Sequence, residues 1–295
     1  MQSISKVLVK RLDGLDKLII PNVFNFFKSA AGNIISLVYF QEDIASLLIE
    51  GKPMPIFLSD LISQLSNESY GWRYNIFGMK LLDIGLYAGH RKLLADVKTM
   101  REVVRTILLK HIELRRQGVQ PSTFSMWDIF LDEVSPEQAF SHDEIVDEFI
   151  TFFSDGVYTT GHFMTMMTYH LAKNPEWKQR LREELKVNLS LIEKPTQALI
   201  NSLPVLTACT KETLRLAPPV VTGIERVCVK DTCFSDGTKV QKDTLMMACH
   251  LINHLDPTMH DNPTTFDPTR WLDPNSKTLA SIQKNPGSYI PFSIG

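Results

Sequence analysis

The chain has 295 residues, 44% of them hydrophobic, enough for one large core or two ordinary domains. Its 31 Lys and Arg stand against 33 Asp and Glu, so it lacks the basic excess that a nucleic-acid partner requires. Four cysteines, at 209, 228, 233 and 249, are too sparse for a disulfide framework, and no stretch reads as a membrane span or a signal peptide.

Residues 1–140 read as mostly helical. Over 92–116, charged and apolar residues alternate at three- and four-residue spacing, the pattern of a half-exposed helix. Gly118, Pro121, Ser122 and Pro136 mark 117–140 as a connection, and the run 124–130 within it is expected to pack on the core. A long helix is predicted from Ser141, because Ser141 and Glu144 have capping-box spacing. Ile145, Phe149, Phe152 and Phe153 then line one face, and Asn174-Pro175 is the expected stop. Some thirty helical residues would span about 45 Å, so this helix is expected to run through the centre of the fold. A second helix is predicted over 175–185, with Trp177 and Leu181 four apart. A third runs from Ser202 and Pro204 to Pro218-Pro219.

Beyond Pro219 the pattern changes. Residues 224–229 read as a short strand, Asp236-Gly237 as a hairpin turn, and 244–251 as strand-like but diluted by Met and Ala. From Asp256 onward, six prolines and repeated Asn and Asp predict ordered coil rather than regular structure.

Several residues could carry chemistry. Glu212 and Arg215, at i,i+3, share a helix face among Leu206, Leu214 and Leu216. An ion pair in such surroundings needs further hydrogen bonds to offset its desolvation, whereas on a surface it is worth little. Gly156, in mid-helix, costs roughly 1 kcal/mol against alanine. It would permit a flat ligand to approach the backbone. Thr159 and Thr160 can bond carbonyls one turn back. The same residues also suit a plain core helix. His250, His254 and His260, with Cys249 and Asp256, raise the alternative of zinc. A His-x-x-x-His pair needs a helix, and Asn253 and Asp256-Pro257 suggest that this stretch is leaving regular structure. Residues 251–253, Leu-Ile-Asn, also lack the glutamate of a metallohydrolase signature. Cys228 and Cys233 could approach each other across a turn but read more simply as free thiols.

In this order and at this spacing, Glu212-Thr-Leu-Arg215, Phe266-Asp-Pro-Thr-Arg270-Trp271 and Pro291-Phe292-Ser-Ile-Gly295 resemble the heme-thiolate monooxygenases, the cytochrome P-450 superfamily. The resemblance is most specific over 141–295. It implies a mainly α fold with a small β region, present as one incomplete domain over 1–295. That domain has a helical front part (1–140), a central helix with the Glu-x-x-Arg helix (141–219), and a strand and coil region (220–295). Glu212, Arg215 and Arg270 are then a buried structural triad. The segment 173–185 resembles scaffold after the central helix.

In the family, Phe-x-x-Gly opens the loop bearing the cysteine ligand of the heme iron, and the pattern continues Gly-x-Arg-x-Cys. The axial cysteine is therefore expected four residues past Gly295. On this reading no metal ligand is present, and the chain as given is an inactive fragment. Gly156, Thr159 and Thr160 match the family pattern Ala/Gly, Gly, any residue, Asp/Glu, Thr, Thr/Ser. Thr159 falls on the threonine that helps deliver protons to iron-bound dioxygen. Tyr158 takes the usual acid position, and a phenol with pKa about 10 is a poor carboxylate relay. Asp155, one turn before Thr159, is the alternative acid. Arg226, after Leu216-Ala-Pro-Pro-Val220, resembles the arginine that binds a heme propionate, with Glu225 as a competing partner. Residues 220–224 would line the substrate side. Gly156, Arg226 and Phe292 are the expected heme contacts.

The resemblance further implies heme (iron protoporphyrin IX) and insertion of one oxygen atom into an apolar organic substrate. Electrons would come from NADPH through the flavins of a separate reductase. The parent would sit at the endoplasmic reticulum membrane if eukaryotic, whereas this chain, without an anchor, would be cytoplasmic or soluble. The competing class is a non-catalytic fragment or a helical interaction module.

Overall fold

The computed structural model describes residues 20, 22–69, 85, 87–119, 125–131, 140–189, 192, 195–223 and 225–293. Pro121, Ser122, Phe124, Pro136, Ile224, Ile294 and Gly295, on which some expectations rest, lie outside them. The chain forms two compact units, residues 1–162 and 163–295.

The first unit holds α1 (Val23–Tyr39), a hairpin of β1 (Leu48–Ile49) and β2 (Lys52–Pro53), α2 (Met54–Ser69), α3 (Ala88–Arg116), α4 (Met126–Leu131) and the first two-thirds of α5 (His142–Lys173). Asn22 caps α1 by accepting from the Asn25 N–H at 2.9 Å. The hairpin pairs Leu48 with Pro53 and Ile49 with Lys52, and Glu50 and Gly51 take positive φ at its turn. Sequence patterning does not reveal this hairpin, because two-residue strands carry no periodicity. At the start of α5 the Ser141 N–H donates to Glu144 Oε2 at 2.8 Å, and the Glu144 N–H donates back to Ser141 Oγ at 3.2 Å. The helix runs 32 residues to Lys173, about 48 Å, and ends where Pro175 follows.

The core of this unit is an aromatic stack. Trp127 and Phe149 lie face to face at 4.9 Å, Phe149 and Phe153 at 5.5 Å, and Phe40 tilts onto Phe149 at 4.5 Å. Trp127, on the connection expected to pack inward, is fully buried. Two glycines of α5 explain how α1 comes so close. A Cβ on Gly161 would lie 3.1 Å from the Lys28 Cα, and one on Gly156 would lie 2.5 Å from Ile35 Cδ1. The mid-helix cost of these glycines is offset by helix packing.

The second unit holds the end of α5, then α6 (Pro175–Leu189), α7 (Gln197–Asn201), α8 (Pro204–Leu216), β3 (Arg226–Val227), β4 (Thr232–Cys233), β5 (Lys239–Val240), β6 (Leu245–Met246), α9 (His250–His254) and α10 (Lys277–Lys284). Trp177, Cys209 and Phe266 form its apolar centre, with Met167, Leu171 and Leu216 against them. Glu184 of α6 accepts from the Val205 and Leu206 N–H groups at 2.7 and 2.8 Å, so a carboxylate satisfies the free amides at the start of α8. β3 pairs antiparallel with β6, and β4 with β5 across a turn where Gly237 has φ +89°.

Three expectations for the region beyond Pro219 need correction. The predicted strands 224–229 and 244–251 reduce to two paired residues each, and the second gives way to α9 at His250. His250 and His254 are therefore on a helix after all. Nevertheless, no group of His, Cys, Asp or Glu among the described residues is arranged to hold a metal ion. The proline-rich tail is not plain coil. It contains α10, capped by Ser276, and 3-10 turns at Pro268–Trp271 and Pro286–Ser288. Pro268 and Pro286 open those turns, at positions where a missing N–H costs nothing.

Candidate functional site

The second unit is built around the Glu212 carboxylate, which is fully buried. Arg215 grips it bidentately, Nε to Oε2 at 2.9 Å and Nη2 to Oε1 at 2.8 Å. Arg270 adds an Nε donor to Oε1 at 2.9 Å, Trp271 its indole N–H to Oε2 at 2.9 Å, and Asp267 its backbone N–H to Oε1 at 3.0 Å. The remaining guanidinium donors are used as well. Arg215 Nη1 donates to the carbonyls of His254 and Pro263 at 2.8 and 2.5 Å, and Arg270 Nη1 to that of Asp261 at 3.0 Å. The desolvation of three buried charges is thus met by bonds on every side, the condition under which such a cluster persists. Its effect is to pin the 254–271 coil to α8.

Sequence reading missed two parts of this arrangement, the Trp271 donor and the histidines. His254 Nε2 accepts from the Ile290 N–H at 2.9 Å. His260 bridges Thr278 Oγ1 and the Ser288 carbonyl at 3.0 and 3.1 Å. These bonds anchor the segment that leads to Pro291 and Phe292. The adjacency of Trp271 to Arg270 and the run of histidines were the available signals, but their partners lie 18 to 59 residues away. Phe292 itself is 82% exposed.

Arg226 lies at the paired end of β3, opposite Met246. It is exposed, and among the described residues it makes no ion pair; neighbouring Glu225 does not reach it. It lines a cavity of about 520 Å³ with Phe234, Met246, Met247, Ala248 and His250. A flat apolar molecule with carboxylates at one edge suits this lining, because the guanidinium matches a carboxylate while the Met and Phe side chains cover apolar surface. The fit to a heme edge is therefore chemical: one cation among apolar lining residues. Val220 and Val221 are 49% and 46% exposed.

None of the four cysteines lines that cavity. Cys209 is sealed in the core, where burial pushes its thiol up to about 12, so it stays protonated. Cys228 donates its thiol to the Lys230 carbonyl at 2.9 Å. All four are free.

In the first unit, Thr159 Oγ1 donates to the Asp155 carbonyl at 2.6 Å, one turn back. Asp155, Gly156 and Thr160 line a cavity of about 500 Å³ beside Ile35, Tyr39 and Phe152, whereas Thr159 is not part of its wall. Partial burial pushes the Asp155 carboxyl above the ordinary carboxylate range. Tyr158 packs edge-on against Phe24, with centroids 5.6 Å apart. The close approach that Gly156 permits here is that of Ile35.

Comparison with known proteins bears directly on these motifs. The chain is 34% identical over 158 residues to cytochrome P450 4F3 of Homo sapiens, covering 52% of this chain and 29% of that protein. It is 33% identical over 178 residues to the mitochondrial sterol 26-hydroxylase of Rattus norvegicus, covering 60% and 32%. Cytochrome P450 monooxygenase penB of Penicillium thymicola matches at 26% over 283 residues, 93% of this chain and 61% of that protein. The chain thus spans from about a third to under two-thirds of the length of these relatives. The cytochrome P450 family model matches residues 1–295, from the helical front part through the Glu212 cluster to the final Pro-Phe-Ser-Ile-Gly, and the chain belongs to the cytochrome P450 family.

Proposed function

We propose that the protein to which this chain belongs is a heme-dependent monooxygenase that inserts one oxygen atom from dioxygen into an apolar organic substrate. The observation that carries this reading beyond family membership is Arg226. It is a cation without an ion pair among the described residues, and it lines a cavity together with Phe234, Met246 and Met247. Arg226 would hold a heme carboxylate. When bound through a cysteine thiolate, the heme supplies dioxygen activation.

The residues of this chain would then do three things. Glu212, Arg215 and Arg270 fix the coil on which the final segment is carried, and they touch no reactant. Thr159 keeps its hydroxyl hydrogen on the Asp155 carbonyl, which leaves its oxygen lone pairs to accept from a water molecule. Asp155, whose carboxyl is pushed up by partial burial, is the candidate acid. Phe292 is a candidate heme contact, and exposed Val220 and Val221 would meet an apolar substrate. Electrons would come from a separate reductase that draws on NADPH through flavins. No helix among the described residues is long and apolar enough to cross a membrane.

The test is incorporation of isotopically labelled dioxygen by the complete heme-loaded protein, together with its Thr159→Ala and Asp155→Asn variants. The expected result is label in the product, with coupling of electron use to product reduced by roughly a hundredfold or more in either variant, the lower end of a general acid–base contribution. Unlabelled product from the parent protein would end the reading. Unchanged coupling in both variants would remove the roles given to Thr159 and Asp155.

A further inference from the structure

The cavity beside Arg226 contains a second polar group that the family resemblance does not account for. His250, the first residue of α9, lines it and is only 4% exposed. Its Nδ1 is buried without a hydrogen-bond partner. Buried imidazole nitrogens are ordinarily satisfied, and an orphan beside a cavity points to a partner that arrives with a ligand. The backbone that carries the ring is tied on both sides. The Leu251 N–H donates to the Val221 carbonyl at 3.3 Å and the Gly223 N–H to the Ala248 carbonyl at 2.6 Å, so the chain on both sides of His250 is tied to 221–223. Gly223 itself admits the ring, because a Cβ there would stand 2.8 Å from His250 Nε2. A glycine, a tied backbone and an imidazole with an unpartnered Nδ1 thus meet in the lining that also includes Arg226.

We propose that His250 is a second carboxylate-binding residue of this cavity, donating a ring N–H to the carboxylate edge of the ligand that Arg226 pairs with. This inference rests on the reading of the Arg226 cavity as the seat of a heme edge. His250 would act as a positioning residue. Two donors from different elements, β3 and α9, would fix the orientation of a flat ligand where one guanidinium would let it pivot.

The full chain is titrated with hemin and, separately, with hemin dimethyl ester, whose carboxylates are blocked, and binding is followed by the Soret absorbance. His250→Phe is expected to weaken hemin binding by roughly tenfold and to leave the ester unchanged, as loss of one hydrogen bond to a charged group implies. His250→Gln, which keeps an N–H donor, is expected to recover most of that loss. Equal hemin affinity in the parent chain and His250→Phe, with Arg226→Ala weakened, overturns the role of His250 and leaves that of Arg226 standing. Unweakened hemin binding in Arg226→Ala, or no saturable binding by the parent chain, overturns both. A second measurement needs no variant to fold. With histidine nitrogens labelled in the parent chain, addition of diamagnetic zinc protoporphyrin IX is expected to bring out a His250 ring N–H signal protected from exchange with solvent. No change in that resonance at saturation would contradict the proposal.

Discussion

Glu212→Ala is expected to cost the second unit about 3–5 kcal/mol, because it leaves the Arg215 and Arg270 guanidinium groups buried without their common carboxylate. A domain has only about 5–15 kcal/mol to lose, so this one change should bring the unit close to unfolding at room temperature. The cost comes from orphaned charge more than from lost attraction, since every donor aimed at Glu212 would have to be hydrated again. Glu212→Gln should cost less than the alanine change, because one amide oxygen still accepts from part of the cluster. Urea unfolding followed by tryptophan fluorescence reads both, and Trp271, whose indole donates to Glu212, lies within the cluster. A loss under about 1 kcal/mol for Glu212→Ala would mean that the cluster does not hold the coil.

Acid should destabilise the same unit through His254. Burial pushes its imidazole down to about 4, and it pushes His260 and His170 in the same direction. In the unfolded chain these groups titrate near 6.5, so between about pH 6.5 and pH 4 the unfolded state binds protons that the folded state refuses. Stability from His254 is therefore present in full above about pH 6.5 and is lost as the pH falls toward 4. The difference amounts to about 3 kcal/mol at most. Protonation would also break the bond that His254 Nε2 accepts from the Ile290 N–H. The measurement is the urea midpoint at several pH values from about 7 down to about 4.5, for the parent chain and for His254→Asn. The asparagine variant should be less stable at neutral pH and should lose less on acidification. Parallel pH profiles for the two chains would show that His254 is not the group responsible.

These two predictions also show what a sequence can and cannot disclose here. Local geometry is written in local spacing. Ser141 and Glu144 lie three residues apart and form reciprocal bonds, Pro175 ends α5, and Glu212 and Arg215 meet because i and i+3 share a face. What the spacing does not show is a partner far along the chain. Trp271 reaches Glu212 across 59 residues, and Arg215 reaches carbonyls 39 to 50 residues on. The histidines of 250–260 raised zinc only as an alternative to be set aside, because their chemistry was legible while their partners, Ile290, Thr278 and Ser288, were not. Prolines after Asp256 suggested coil because composition alone does not distinguish a proline that opens a helical turn from one that breaks it. Gly156 shows the same limit. Its permissiveness is evident from the sequence, but the neighbour that uses it, Ile35, is more than a hundred residues earlier.

The cavity at Arg226 is proposed to receive the carboxylate edge of a heme. The most direct test of this is an equilibrium titration of the full chain with hemin, comparing the parent with Arg226→Ala. Saturable binding at one equivalent is expected for the parent chain. Affinity lower by roughly tenfold to a hundredfold is expected for the variant, the worth of a charge-assisted pair. Identical titrations of the two chains, both shown to be folded by circular dichroism, would contradict it.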